Sequence, residues 1–225
     1  MDIPAVCAEK LLKNEVDLGL APVAVIPKLK EYFLFPDFCI GANGSVRSVM
    51  LYSEVPLKEI KKIYLDNQSR TSVMLVRILA KYFWKISPEW IQAKDGYEKN
   101  ISSTTAGLII GDRNFSLPFL NSSSIGKTKR MFAFDLPEQW KLFTGLPFVF
   151  ACWISNKELK EQNAISFYKA LKFGLENKDK VIKELSNEYD EKLIANYLNH
   201  CIDYSFDAPK KTAMELFLKL CEKVN

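Results

Sequence analysis

Histidine, closely spaced cysteines and long apolar runs are what this sequence lacks. It has 225 residues with one histidine, His200, and five cysteines that stand far apart and include no CxxC pair. Because a zinc site takes about four nitrogen or sulfur ligands at short spacing, we expect no metal site. His200 ends a helical stretch beside Cys201, but neighbours on a helix point in different directions. We therefore interpret His200 as a helix-end residue rather than a catalytic base.

The cysteines and the first residues both favour the cytoplasm. An odd number of scattered cysteines is typical of reduced core thiols in a cytosolic protein. No apolar run approaches the roughly 20 residues of a transmembrane helix. Met1 is followed by Asp2-Ile3-Pro4 rather than by a signal peptide. We expect a cytoplasmic protein without a membrane partner.

Charge of one sign is also scarce. The formal net charge is +4, and lysine and arginine alternate with acidic residues instead of forming a dense run. This pattern argues against nucleic acid as a partner, whereas a small anionic ligand needs only local positive potential. Hydrophobic residues make up 48% of the 225 residues, which is enough for the core of one large domain or two small lobes.

Hydrophobic patterns predict mixed strands and helices through the first two thirds of the chain, followed by helices alone. The predicted strands cover residues 16–20, 32–40, 49–53, 60–65, 90–93, 108–110, 132–136 and 146–154. The predicted helices cover residues 5–13, 73–83, 137–143, 157–174, 178–188, 191–200 and 209–224. This order is typical of two α/β lobes with a carboxyl-terminal helical segment.

A polar loop at residues 66–72 lies at a predicted strand's carboxyl end and a predicted helix's amino end. It carries the hydroxyl groups of Ser69, Thr71 and Ser72. The first turn of a helix leaves N–H groups unpaired, so the loop suits a carboxylate or phosphate held by those groups and the hydroxyls. The alternative is that Ser69 or Thr71 only caps the helix, and capping is commoner than ligand binding.

Further polar or turn-forming segments fall at predicted strand ends, where open α/β sheets place their ligands. They are Pro22, residues 45–48, residues 111–112 and residues 144–145. If they converge with the loop at 66–72, they form a binding site without a metal or a conventional base. Ser48 either faces such a cleft or lies on a strand surface, and its spacing favours neither alternative.

Five segments of the sequence carry a family resemblance when they are taken together. They read Asp-Leu-Gly-Leu-Ala-Pro at 17–22, Gly-Ser-Val-Arg-Ser-Val at 44–49, Ser-Arg-Thr-Ser at 69–72, Ile-Ile-Gly-Asp at 109–112 and Trp-Lys-Leu-Phe-Thr-Gly-Leu-Pro-Phe-Val-Phe-Ala at 140–151. In this order they resemble the chorismate dehydratase family of the futalosine route to menaquinone. The last segment is the most specific of the five.

The resemblance implies a fold, a reaction and a division of the chain. The fold is the two-lobed, periplasmic-binding-protein-like (type II) α/β fold. Residues 1–54 and 148–225 would form the first lobe, and residues 55–147 the second. The reaction is the loss of water from chorismate, a small dicarboxylate, to give 3-[(1-carboxyvinyl)oxy]benzoate without a cofactor.

By the same resemblance, several residues receive roles in the cleft. Ser48 would contact the substrate near the reacting centre, and Thr71 and Ser72 would hold a carboxylate at the helix start. Gly111 and Asp112 would line the opposite wall. The remaining substrate contacts that the resemblance implies are Pro22, Val46, Ser69 and Thr144.

Two comparisons with the family and one alternative remain. Family members begin with a strand and a Leu-Asn loop whose asparagine lies in the active site, and we expect this first strand to be missing here. The naphthoate synthases of the same route carry a histidine where this chain has Gly111, which favours the dehydratases.

The alternative is a solute-binding protein of the same fold that binds a small carboxylate without converting it.

Overall fold

Two β-sheets organise the chain. The computed structural model describes residues 4–67, 69–116 and 131–224. The strands are β1 (Leu18–Pro22), β2 (Phe33–Ala42), β3 (Val49–Ser53), β4 (Lys62–Leu65), β5 (Glu89–Gln92), β6 (Thr105–Ile110), β7 (Phe132–Asp135), β8 (Phe148–Ser155) and β9 (Asp203–Phe206).

The helices of the described residues pack around these sheets. They are α1 (Pro4–Leu12), α2 (Arg70–Ile78), α3 (Leu136–Thr144), α4 (Glu161–Glu176), α5 (Lys178–Leu185), α6 (Glu191–Asn196) and α7 (Ala208–Cys221). α2 continues directly as a π-helix over Leu79–Trp84, and α6 continues as one over Tyr197–Cys201. No helix among the described residues is both long and apolar enough to cross a lipid bilayer.

The first sheet has the strand order β1-β8-β2-β9 and is antiparallel throughout. β8 forms hydrogen bonds on both sides, to β1 and to β2, which agrees with its almost continuous apolar sequence. Cys39 of β2 stands opposite Cys152 of β8, and both side chains are buried. The sheet therefore has an apolar centre.

The second sheet has the strand order β5-β4-β6-β3-β7. β4 runs parallel to β5 and β6, whereas β3 runs antiparallel to β6 and β7. The carboxyl ends of β4, β6 and β7 and the amino end of β3 consequently lie at one edge of the sheet. We call this edge the polar edge, and its defining residues are Ser48, Asp66, Gly111 and Asp135.

The chain passes between the two sheets twice. It leaves the first sheet after β2 and returns to it at β8, which begins at the predicted lobe border of residue 148. β3 pairs with β6 and β7, although the sequence analysis placed residues 49–53 in the first lobe. By this pairing the other border would lie before Val49 rather than after residue 54. The division into two lobes itself stays a prediction.

Trp140 of α3 lies at the centre of the core between the sheets. Its ring is fully buried and makes edge-to-face contacts with Phe148 and Phe217, at centroid distances of 5.5 and 6.2 Å. The indole N–H donates to the carbonyl of Pro147 at 3.0 Å, so its polar atom is satisfied. Truncating a buried aromatic side chain of this kind costs about 3–5 kcal/mol. The segment 140–151 thus joins α3 to β8 through the core.

β9 is the strand that the sequence analysis did not predict. It is a short edge strand beside β2, between the predicted helices 191–200 and 209–224. Lys210 of α7 supports it, because its buried ammonium group pairs with Asp203 at 2.6 Å and Asp207 at 3.3 Å. A buried lysine requires such partners, and they hold β9 and α7 together.

Candidate functional site

The polar edge brings together segments that are distant in sequence. Val49 of β3 stands opposite Ile110 of β6, so Ser48 and Gly111 are neighbours just beyond the paired strands. The Gly111 N–H donates to the carbonyl oxygen of Ser48 at 2.8 Å. Next to β6, Asp66 directly follows β4, and its carboxylate pairs with Arg113. The predicted meeting of residues 45–48 with residues 111–112 is therefore present.

Ser48 is the buried hydroxyl of the polar edge. Its side chain is 4% exposed, and its Oγ accepts a hydrogen bond of 3.0 Å from the hydroxyl of Tyr197. The Asn114 amide nitrogen donates to the Ser48 carbonyl at 3.1 Å and also to the carbonyls of Ile109 and Gly111. These bonds fix the backbone at Ser48, and its side chain is buried rather than exposed on a strand surface.

Asp135 holds the loop that precedes Ser48. Its Oδ2 accepts hydrogen bonds from Ser45 Oγ at 2.8 Å, the Val46 N–H at 2.9 Å and the Arg47 N–H at 2.7 Å. Its Oδ1 accepts from the Glu138 N–H at 3.3 Å and so caps α3. Burial raises the pKa of Asp135 above its ordinary value, although these four hydrogen bonds oppose the shift. One carboxylate thus joins the loop at 45–47 to a helix start.

The hydroxyl groups at the start of α2 are largely used within the protein. Ser69 Oγ accepts from the Ser72 N–H at 3.2 Å, so Ser69 caps α2. Thr71 is 1% exposed, donates to the Phe150 carbonyl at 3.0 Å and accepts from the Ala24 N–H at 3.3 Å. Thr71 therefore ties α2 to the first sheet. The predicted helix 73–83 begins earlier, at Arg70, because of the Ser69 cap.

Arg113 links the carboxyl ends of β4 and β6 at the polar edge. Its guanidinium pairs with the buried carboxylate of Asp66 and with Glu98 at 2.6 Å. The Tyr97 hydroxyl lies 3.2 Å from Asp66 and also donates to the Leu108 carbonyl. Burial, reinforced by Asp66, raises the pKa of Tyr97, so its phenol stays protonated. The charge of Arg113 is thus neutralised inside the protein.

The other predicted site residues have different surroundings. Pro22 is buried at the end of β1, and Val46 is 2% exposed with only its N–H directed to Asp135. Asp112 is exposed in the short 3-10 helix Gly111–Phe115. Thr144 ends α3, since its hydroxyl donates to the Trp140 carbonyl at 2.8 Å and accepts from the Leu146 N–H at 3.1 Å. The hydrogen bonds of Thr144 do not reach Ser48 or Gly111.

Two cavities open beside the polar edge. One has about 340 Å³ and includes Ser45, Lys178 and His200 in its wall. The other has about 310 Å³ and lies at the start of α2, with Ser69 and Arg70 in its wall. Both volumes fall in the range of about 300–1,000 Å³ that small-molecule sites occupy. Ser48 lines neither cavity, and a larger apolar cavity of about 600 Å³ lies elsewhere, between β2 and α4.

The basic residues near these cavities differ in how they are paired. Arg70 pairs with Glu9 at 2.9 Å, and Arg113 is paired twice. Arg47 is exposed and forms no ion pair with any of the described residues. Arg47 also has a positive φ of 64°, in the left-handed region of backbone conformation. Among the described residues, no three His, Cys, Asp or Glu side chains gather as metal ligands.

Sequence reasoning missed two residues of this arrangement. Asp135 stands in the run Asp-Leu-Pro-Glu, a helix-start signature with the cap residue three positions before a glutamate, and this signal was available. Tyr197 had no such signal, because an aromatic residue on an amphipathic helix is usually a core residue. Only the tertiary structure brings Tyr197 to Ser48, 149 positions away in the chain.

The class of protein follows from the fold. Protein AF1704 of Archaeoglobus fulgidus matches with a TM-score of 0.72 at 13% identity, covering 99% of this chain and 84% of that chain. The periplasmic aliphatic sulphonate binding protein SsuA of Escherichia coli matches with a TM-score of 0.60 at 16% identity, covering 98% and 74%. The predicted periplasmic-binding-protein-like α/β fold is therefore confirmed.

The family follows from the sequence. Residues 1–223 match the menaquinone biosynthesis family, and the chain belongs to that family. The chorismate dehydratase of Thermus thermophilus is 30% identical over 168 residues, which cover 69% of this chain and 60% of that protein. The chain thus spans less than two thirds of the length of this curated relative. The predicted family resemblance is confirmed.

Proposed function

We propose that this protein is a chorismate dehydratase of menaquinone biosynthesis. The reaction would remove water from chorismate and give 3-[(1-carboxyvinyl)oxy]benzoate. One observation carries the proposal: the buried Ser48 hydroxyl lies at the polar edge of a binding-protein-like fold, in a chain of the menaquinone biosynthesis family. The identity of 30% to the Thermus thermophilus chorismate dehydratase supports the particular reaction.

The chemistry demands positioning more than strong acids or bases. The ring hydroxyl leaves with its bonding electrons, and a proton leaves the adjacent ring carbon that carries the enolpyruvyl ether. These two fragments form water, and the ring becomes aromatic, which favours the products. A protein that holds the dianion in a reactive conformer supplies much of the acceleration. One carboxylate of the substrate would take the proton, and Ser48 would hydrogen bond near the reacting centre.

The two carboxylates of such a substrate need positive partners. Arg47 is the exposed cation beside Ser48 that forms no ion pair among the described residues. The amino end of α2, next to Ser69, adds the partial positive charge of a helix start. We assign one carboxylate to Arg47 and the other to this helix start. Gly111 and Asp112 would form the wall between them.

The hydroxyls of Thr71 and Ser72 would support the site indirectly. Ser72 is 1% exposed and its Oγ accepts from Ser69 Oγ at 3.0 Å, so it orders the residue that faces the cavity. Thr71 would fix α2 against the first sheet through Phe150. Pro22, Val46 and Thr144 would likewise shape the walls of the site rather than donate to the substrate.

A solute-binding protein for a small carboxylate is the second candidate. The fold match to SsuA favours it. The scarcity of catalytic bases favours it too, since the sequence has one histidine, His200, and no histidine belongs to the polar edge. Binding alone needs the same cations and helix start. It does not need the buried Ser48 hydroxyl and its tyrosine partner.

One experiment separates the two candidates. The purified protein is incubated with chorismate, and the aromatic product is followed by ultraviolet absorbance and identified by mass. We expect product to accumulate in proportion to protein concentration. Chorismate binding by calorimetry with no product above the uncatalysed background would refute the dehydratase and support the binding protein.

The cytoplasm is the proposed compartment. Among the described residues no cysteine forms a disulfide, although Cys39 and Cys152 stand opposite each other on adjacent strands. Cytosolic proteins keep their thiols reduced in this way, whereas proteins of oxidising compartments usually do not.

A further inference from the structure

Tyr197 comes from the carboxyl-terminal helical segment, to which the sequence analysis gave no functional role. Its hydroxyl donates to Ser48 Oγ at 3.0 Å. Its ring meets the ring of Phe115 edge to face, with centroids 5.0 Å apart. Phe115 belongs to the short helix that begins at Gly111. Tyr197 therefore contacts both chain segments that meet at the polar edge.

The local structure at Tyr197 is specialised. α6 ends at Asn196 and the chain continues as a π-helix from Tyr197 to Cys201. Such insertions occur frequently at functional sites, because they turn a side chain away from the regular helical spacing. β9 follows at once and is anchored to α7 by the buried Lys210. The segment that presents Tyr197 is thus anchored on its carboxyl-terminal side.

The direction of the hydrogen bond matters for Ser48. A phenol is more acidic than an alkyl hydroxyl, so Tyr197 is the better donor of the pair, and Ser48 Oγ then accepts and keeps its own proton. That proton has no acceptor among the described residues. A hydroxyl that accepts a hydrogen bond becomes a better donor in the next one. Ser48 is consequently oriented and polarised to donate to a bound molecule.

The phenol of Tyr197 remains a donor over the neutral pH range. Burial raises its pKa, a hydrogen bond that Ser48 would donate to the phenolate opposes that shift, and the nearby carboxylate of Asp112 adds to it. A protonated tyrosine gives Ser48 the same partner throughout this range.

We propose that Tyr197 is a positioning residue that orients the Ser48 hydroxyl toward the reacting centre of the substrate. The inference rests on the proposed dehydratase function. Tyr197 acts through Ser48 and does not touch the substrate. The competing explanation is that Tyr197 only packs against Phe115 and stabilises the fold.

The test is Tyr197→Phe, which keeps the ring on Phe115 and removes the hydroxyl. We expect kcat for chorismate to fall about tenfold, KM to change less than about twofold, and the urea midpoint to stay near that of the wild type. Tyr168→Phe is the matched control, since its ring packs on Phe38 away from Ser48. A Tyr197→Phe enzyme with wild-type kcat would overturn the inference.

A double-mutant cycle separates positioning from packing. In a Ser48→Ala background, Tyr197→Phe should cause less than a twofold further loss, because the Oγ that it orients is gone. An equal loss in both backgrounds would overturn the inference.

If the wild type does not turn over chorismate, the proposed function fails. Calorimetric affinities of the same four proteins for chorismate then decide, and independent effects of the two substitutions would overturn the inference.

Discussion

Asp135→Ala tests how the loop before Ser48 is held. The substitution removes the acceptor of four hydrogen bonds, and it leaves the N–H groups of Val46, Arg47 and Glu138 without a partner. Losing a helix cap costs about 1 kcal/mol. Leaving the buried Val46 N–H unsatisfied costs about 1–3 kcal/mol, and the partly buried Arg47 N–H adds about 1 kcal/mol, the low end of that range. We therefore expect the free energy of unfolding to fall by about 3–5 kcal/mol.

The assay is urea unfolding, with Asp190→Ala as the control. Asp190 caps α6 through one exposed hydrogen bond of 2.8 Å from the Leu193 N–H and holds no loop. The control should lose only the cap contribution of about 1 kcal/mol. The loss of unfolding free energy in Asp135→Ala beyond that of the control measures how much Asp135 stabilises the loop at 45–47. Equal losses in the two variants, with unchanged m-values, would refute the reasoning.

Three further predictions follow. Arg47→Gln should raise KM for chorismate about tenfold with little change in kcat, because it removes a cation from the proposed carboxylate site; an unchanged KM would exclude that role. Gly111 and Gly96 have positive φ angles of 75° and 78° and open space around an added Cβ. Alanine at either should cost about 1–2 kcal/mol in unfolding, but only Gly111→Ala should lower turnover; equal effects on turnover would contradict the placing of Gly111. Burial would raise the pKa of Asp203, but the hydrogen bonds it accepts, above all from Lys210, hold it below its ordinary value. A lowered pKa stabilises the fold above the unfolded value of about 4, so the advantage of the wild type over Asp203→Asn in urea unfolding should shrink as pH falls below 4. A pH-independent difference would contradict this.

The strands and the long helices could be predicted because their residues follow simple periods. The strand at 49–53 has the predicted bounds, and β8 differs from the prediction of 146–154 by two residues at its start and one at its end. β9 could not be found in this way. It is four residues long, and it is a strand only because β2 offers an edge and Lys210 pairs with Asp203.

The candidate site was less predictable than the fold. Ser48 and Gly111 could be brought together from their positions at strand ends, since parallel and antiparallel neighbours align those ends. The role of Thr71 could not be predicted, because the local sequence of a hydroxyl residue at a helix start is the same whether the hydroxyl faces a ligand or another strand. The contact with Phe150 exists only in three dimensions. Tyr197 lies outside every local pattern for the same reason.

Turnover of chorismate by the wild type and Ser48→Ala tests the account most directly. Ser53→Ala is the matched control, because Ser53 is a buried serine at the opposite end of the same strand, β3. We expect Ser48→Ala to lower kcat at least about 100-fold while its urea unfolding stays close to that of the wild type. Ser53→Ala should retain the wild-type kcat. A folded Ser48→Ala protein that forms 3-[(1-carboxyvinyl)oxy]benzoate at the wild-type rate would contradict the account.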